Sequence, residues 1–204
     1  MKLHHATAQI LAPDGAPLAD ALARITHLGI GAHQDDLEFM AFHGILECFA
    51  SATKWFGGVT CTNGAGSSRT GAYAAFTDAQ MMAVRRTEQN HAAILGQYGV
   101  MIQLDHPSRA VKSATDPALK NDLREILAAT RPEVVYTHNP ADKHDTHLGV
   151  VVAAVQALRE LPRPMTLPAV ALALRSLRNR HFQGIKPAAA ECQCSWGISL
   201  ALMN

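Results

Sequence analysis

Aromatic residues make up only 5% of this 204-residue chain, and cysteines number four. No stretch approaches the ~18 consecutive apolar residues that a bilayer-spanning helix needs. The shortage of aromatics argues against a carbohydrate-binding module built on stacking platforms, though it leaves room for a sugar held by hydrogen bonds. The cysteines, Cys48, Cys61, Cys192 and Cys194, show neither CxxC spacing nor the density of a secreted disulfide scaffold. A reducing cytoplasm is the expected setting. Charge is sparse and balanced, with 17% charged residues and a formal net charge of +1, so no basic surface is offered to nucleic acid or to an anionic membrane. The opening residues Met1-Lys2-Leu3-His4-His5 lack the apolar centre of a signal peptide. These absences predict a soluble, unexported, cytoplasmic protein with neither nucleic-acid nor membrane partners.

What is present is a regular alternation. A turn signal at Pro13-Asp14-Gly15 implies a hairpin or extended arm ahead of the core. Apolar runs at Ile25–Ala32, Phe56–Thr62, Met101–Leu104 and Val134–Thr137 read as buried strands. Between them, Leu37–Ala52, Met81–Leu95, Leu119–Thr130 and Thr146–Leu161 carry apolar side chains at helical spacing. In the first of these helices Phe39, Phe42, Ile45, Leu46 and Phe49 form one face. Strands and helices alternating at this spacing predict an α/β domain, a three-layer α/β/α arrangement around a mostly parallel sheet. One domain is expected over residues 1–163, with its core from about residue 25.

Ligands of such folds bind beyond the carboxyl ends of the strands. Two His/Asp clusters more than a hundred residues apart fall there: His33-Gln34-Asp35-Asp36 and His144-Asp145-Thr146-His147. Either alone is explained by helix capping, because an acidic residue in a first turn satisfies free N–H groups and the helix dipole. Two in equivalent positions point to a shared cation. His33, Asp36 and His147 would supply the three N and O ligands of an open zinc site. Asp35 is then the nearest unliganded carboxylate, suited to take a proton from water, and His144 is placed to face a developing oxyanion. The loop from Gly64 to Gly71 does not match a phosphate-binding fingerprint and reads as a loop beside the pocket. Arg85 and Glu88, at i and i+3, read first as a helix-surface ion pair, with Arg85 pointing into the site as the alternative. His4, His5, His43, His91, His106 and His181 show no partner pattern.

These residues resemble the PIG-L/LmbE-like deacetylase family. Its first motif, Ala-His-Pro-Asp-Asp followed closely by Glu, is matched by Ala32-His33-Gln34-Asp35-Asp36-Leu37-Glu38. Its second, ending in His-Pro-Asp-His after a strand, is matched by the segment from Thr137 through His138, Asn139, Pro140, Ala141, Asp142, Lys143, His144, Asp145 and Thr146 to His147. Thr62-Asn63-Gly64 and Arg85-x-x-Glu88 also look like family elements, and the likeness covers about Ile25 to Leu161. The resemblance implies a Rossmann-like fold and hydrolysis of the acetyl amide of an N-acetylated amino sugar or its conjugate. It further implies one Zn2+ per chain, with Fe2+ as the alternative, bound by His33, Asp36 and His147. Asp35 becomes the general base, His144 polarises the carbonyl, and Arg85 and Asp105 contact the substrate. The family also implies a homo-oligomer and a small-molecule, sugar-type partner.

Three departures qualify this. Gln34 replaces the usual proline, and Asp145-Thr146 stands where Pro-Asp is usual, leaving Asp142 or Asp145 to orient His144. From Arg163 onward only Glu191 is acidic, Arg175, Arg178 and Arg180 accumulate, and no strand is evident. Residues 164–204 are therefore expected to be an atypical tail, truncated or read in a shifted frame. The competing function is a catalytically impaired metal- or ligand-binding protein of the same fold, and a metal-dependent phosphoesterase is a third.

Overall fold

A computed structural model describes residues 1–113 and 115–162, together with the backbone of strands at 169–173, 191–193 and 199–203. Arg175, Arg178, Arg180, His181 and Cys194 lie outside the described residues. The strands are β1 (Gln9–Leu11), β2 (His27–Gly31), β3 (Phe56–Thr62), β4 (Val100–His106), β5 (Val134–Thr137), β6 (Ala169–Ala173), β7 (Glu191–Gln193) and β8 (Ser199–Met203). The helices are α1 (Leu18–Ala23), α2 (Asp36–Met40), α3 (Phe42–Cys48), α4 (Asp78–Leu95), α5 (Ser108–Val111), α6 (Ala118–Thr130) and α7 (Asp145–Arg159). Each segment expected to be strand or helix is one, except that Leu37–Ala52 forms two helices, and an extended arm, β1, stands ahead of the early turn on the edge of the sheet.

Among the described residues the strands form one sheet in the order β1-β4-β3-β2-β5-β6-β8-β7. Pairing is parallel from β4 through β8, and only the edge strands β1 and β7 run antiparallel. From β2 the chain winds outward through β3 and β4 and then returns to place β5 on the other side of β2. The direction of winding therefore reverses between β2 and β5, and at such a switch the flanking loops part and leave a crevice.

The sheet is buried on both faces. Leu28, Ile30, Val59, Ile102, Leu104 and Val135 meet α1, α6 and α7, while Phe56, Tyr98, Met101 and Tyr136 meet α2, α3 and α4. Each large apolar side chain removed from water contributes about 1.5–3 kcal/mol. Gly29 allows the second layer to approach: a Cβ there would stand 2.7 Å from the Phe56 ring and 2.9 Å from Leu37. The long helix α4 starts at a capping box, in which the Thr77 hydroxyl accepts from the Gln80 N–H and Gln80 accepts from the Thr77 N–H.

Two expectations need correction. The single helix expected over Leu37–Ala52 is two, separated at Ala41, and its predicted apolar face is not the one that packs. Leu37, Ala41, Ile45 and Cys48 are buried, whereas Phe39, Phe42, Leu46 and Phe49 are exposed, Phe39 by 85%. A second apolar stripe runs along the same helices, and counting apolar residues did not distinguish the two. The absence of strands after Arg163 is also overturned by β6, β7 and β8. Ala-Val-Ala-Leu-Ala has little intrinsic β preference, and β6 forms along the parallel edge offered by β5.

Candidate metal centre

The two loops of interest leave adjacent strands. β2 ends at Gly31 and delivers His33, and β5 ends at Thr137 and delivers His138, with the segment up to the start of α7 following. A hydrogen bond from the Ala32 N–H to His138 Nε2, at 2.9 Å, ties them together.

Asp36 lies at the centre. Its Oδ2 accepts from the His33 N–H at 2.6 Å and stands 3.2 Å from His33 Nδ1, 3.4 Å from His138 Nε2 and 3.5 Å from His147 Nε2. Burial alone would push the Asp36 carboxyl up, but hydrogen bonding to His138 and to His33 outweighs it and holds the group well below the usual carboxylate range. Burial pushes His138 down, against the pull of Asp36.

His33, Asp36 and His147 offer one ligand atom each, all within 4.8 Å of one another, and this group could hold a metal ion. Ligand atoms about 2.1 Å from a four-coordinate ion stand about 3.4 Å apart, and the separations of 3.2 and 3.5 Å match. Asp142 supports the fit, because its Oδ2 accepts from His147 Nδ1 at 2.9 Å and so leaves Nε2 as the lone-pair nitrogen facing Asp36. A second geometric group, His138, Asp142 and His147, suits an ion less well. The His138 and His147 rings stack at 3.9 Å with planes only 8° apart, so their in-plane lone pairs do not converge.

Asp35 is not one of the His33–Asp36–His147 group, and its side chain pairs instead with Arg85. Its backbone has φ +81°, a left-handed conformation that costs a residue other than glycine about 1–2 kcal/mol. Its carboxylate, 57% exposed, accepts from Arg85 at 2.8 Å, and Arg85 also donates to Glu88 at 2.8 Å and to the Gln34 carbonyl. Arg85 is thus both the helix-surface pair and a residue turned into the site. His144, the N-cap of α7, stacks on His147 at 4.5 Å and meets the His33 ring edge-on at 5.0 Å. Burial, His147, His33 and Lys112 all push its imidazole below the ordinary value. Asp142 accepts from the His144 backbone N–H at 3.0 Å. Asp142, one of the two carboxylates expected to orient His144, therefore grips its main chain and the ring of His147.

The structure brings His33, Asp36, His144 and His147 together, with Asp35 and Arg85 at the rim. Asp105 is engaged elsewhere: Oδ1 meets Arg86 at 3.0 Å and Oδ2 accepts from the Thr7 hydroxyl. Reading the sequence missed His138 and Gln89. The signal for His138 was its position, directly after β5 as His33 follows β2. No pattern singled out Gln89, whose buried amide accepts from the Asp35 N–H at 3.0 Å.

Residues 28–158 match the family described as PIG-L: GlcNAc-PI de-N-acetylase. Solved structures with a similar fold include a conserved protein of Thermus thermophilus, 22% identical, with a TM-score of 0.55 and 68% of this chain and 58% of that one covered. The N,N'-diacetylchitobiose deacetylase of Pyrococcus horikoshii is 20% identical, with a TM-score of 0.57 over 65% of this chain and 49% of that one. GalB, the 4-carboxy-2-hydroxymuconate hydratase of Pseudomonas putida, is 23% identical, with a TM-score of 0.54 over 65% of this chain and 55% of that one. At these identities the likeness establishes the fold. The chain spans about half to three fifths of their lengths. No curated protein sequence matches it.

Proposed function

Since the chain belongs to the PIG-L family of GlcNAc-PI de-N-acetylases, we propose that it is a zinc-dependent hydrolase that removes the acetyl group from an N-acetylated amino sugar or sugar conjugate. The observation that carries this reading is the convergence of His33, Asp36 and His147 at the switch between β2 and β5. Zinc held there supplies a Lewis acid toward the amide carbonyl and lowers the pKa of water to about 7; Fe2+ is the alternative occupant. Asp35, beside this group and exposed, takes the proton from the attacking water and passes it to the departing nitrogen. His144 holds the oxyanion from the opposite side, helped by the positive end of the α7 dipole. Water and amide are consumed, and free amine and acetate leave. Arg85, paired with the Asp35 carboxylate at 2.8 Å, meets the substrate at the rim.

The substrate class follows the family description, and the Pyrococcus horikoshii neighbour is itself named for a diacetylated disaccharide. A cleft of about 340 Å³ between α5, α6 and α7, lined by Val111, Lys112, Asp145, Leu148 and Val152, lies along α7 without any of the candidate site residues in its lining. Buried free thiols at Cys48 and Cys61 suit a reducing cytoplasm. Among the described residues no helix is long and apolar enough to cross a membrane. The exposed stripe of Phe39, Phe42, Leu46 and Phe49 supplies a face that a homo-oligomer would cover.

The test is amine release from a panel of N-acetylated amino sugars by protein reconstituted with zinc or with iron. Amine and acetate should appear in equal amounts. The metal-loaded Asp35→Asn variant should lose about two to four orders of magnitude in turnover, the usual worth of a positioned proton-transfer group. One bound ion per chain with no amine from any substrate would favour the impaired binding protein instead.

A further inference from the structure

Asp35 is held by two residues of α4 one turn apart. Arg85 takes the carboxylate, and Gln89, four positions on and 1% exposed, takes the main chain. The Gln89 amide has only one workable orientation. The Asp35 N–H can only donate, so Gln89 Oε1 faces it; Glu38 Oε1 accepts from Gln89 Nε2 at 2.9 Å, so Nε2 faces the carboxylate. Glu38 is fixed in turn by the buried Tyr98 hydroxyl, which donates to the same oxygen at 2.8 Å. The other Glu38 oxygen is buried without a hydrogen bond. Among the described residues its carboxylate is therefore anchored by Tyr98 and Gln89. A chain of partners thus runs from the buried Tyr98, just ahead of β4, through the half-buried Glu38 and the buried Gln89 to the Asp35 amide, whose residue sits at φ +81°.

A left-handed aspartate persists only where its surroundings over-determine it. Arg85 alone does not do so, because a guanidinium can follow a carboxylate through many backbone conformations. The buried Gln89 carbonyl cannot follow, since α4 and Glu38 fix it.

We propose that Gln89 is a positioning residue for the reaction, holding Asp35 in its left-handed conformation so that its carboxylate faces the substrate side. This rests on the deacetylase reading for the role of Asp35. Gln89 touches neither substrate nor metal. Its removal should therefore act on the chemical step and spare binding.

The experiment compares zinc-loaded wild type with Gln89→Leu, Gln89→Glu and the double variant Glu38→Gln, Gln89→Glu. Gln89→Leu should lose about tenfold or more in kcat, as small misplacements of reacting groups do, with KM and the one-to-one zinc content unchanged. Gln89→Glu sets two carboxylates face to face and should lose as much. The double variant restores one donor and one acceptor between the two positions, and should recover most of the loss. Exchange of the Asp35 amide proton with solvent gives a readout without turnover: slow in wild type and the double variant, about tenfold or more faster in both single variants. Wild-type kcat in a folded Gln89→Leu protein, a loss shared by KM or zinc content, no recovery in the double variant, or unchanged exchange would each overturn the proposal. If the wild-type chain releases no amine at all, the deacetylase reading falls by that result, and the exchange rates still decide whether Gln89 holds Asp35.

Discussion

Among the described residues two histidine–aspartate clusters stand along the carboxyl edge of the same sheet, and one of them converges into a group that could hold an ion. At the end of β4, His106 donates to Asp122 at 2.8 Å with both side chains almost wholly buried, and the other Asp122 oxygen accepts from the His4 N–H at 2.8 Å. The rings of His4 and His5 close over His106 at 5.8 and 4.6 Å. Every strong acceptor in this cluster has a protein donor, and the result is a latch between the N-terminal segment, β4 and α6. At the switch between β2 and β5, Asp36 instead faces three ring nitrogens at 3.2–3.5 Å, and His147 is oriented from behind by Asp142. Similar residues become a lock where their lone pairs are consumed and a site where they converge beside a crevice.

The comparison is broken most forcefully by removing a convergent ligand. His147→Ala or Asp36→Asn should reduce bound zinc from one ion per chain to none in metal analysis and abolish amine release. Asp122→Asn, the matching change in the latch, should leave the metal content at one. Loss of zinc in Asp122→Asn would show that the two clusters are not separate.

Removing the latch acts on stability. Asp122→Ala strands the buried His106 and the His4 N–H together, and breaking a buried pair in this way costs about 3–5 kcal/mol. For a chain of this size that corresponds to a fall in Tm of about 10 °C, read by calorimetry on zinc-loaded protein. A shift within about 2 °C would mean that the cluster is ornamental.

Much of this architecture was legible in advance, and the reason differs between the clusters. The alternation of strands and helices survives in the sequence because a parallel sheet buried on both faces demands long apolar runs. His33, Asp36 and His147 were legible because they follow those runs in close-set motifs. His138 carried only its position directly after β5, which a satisfied core histidine shares. Gln89 was invisible, because its importance lies in the amide it meets 54 positions away. The latch was invisible too: His4, His106 and Asp122 come from three elements, and only the folded chain joins them. The exposed stripe on α2 and α3 misled for the opposite reason, its periodicity being real and its partner absent from the described core.

A smaller effect separates a ligand from its support. Asp142 does not belong to the His33–Asp36–His147 group, but fixes the tautomer of His147, and outer partners of this kind are worth about 10–100-fold in metal affinity. Asp142→Ala should therefore still bind one zinc at saturation, with an affinity lower by about that factor in competition with a chelator. Undiminished affinity would place the orienting role elsewhere.

The smallest expected effect concerns pH and the latch. Burial first, then the neighbouring His106 and His4, push His5 below its ordinary value of 6.5, against the opposing pull of Asp105 and Asp122. The unfolded chain then binds more protons at this residue than the folded one between that lowered value and about 6.5, so stability must rise with pH across the window and fall as acid is added. His5 lies near the surface and solvent screens the effect, so the test is a difference between slopes. Between pH 7.5 and 5.5 the Tm of wild type should decline more steeply than that of His5→Gln, which has no proton to gain. Equal slopes would mean that His5 titrates alike in the folded and unfolded chains, and the latch would then be closed by His106 and Asp122 without help from the ring packed against them.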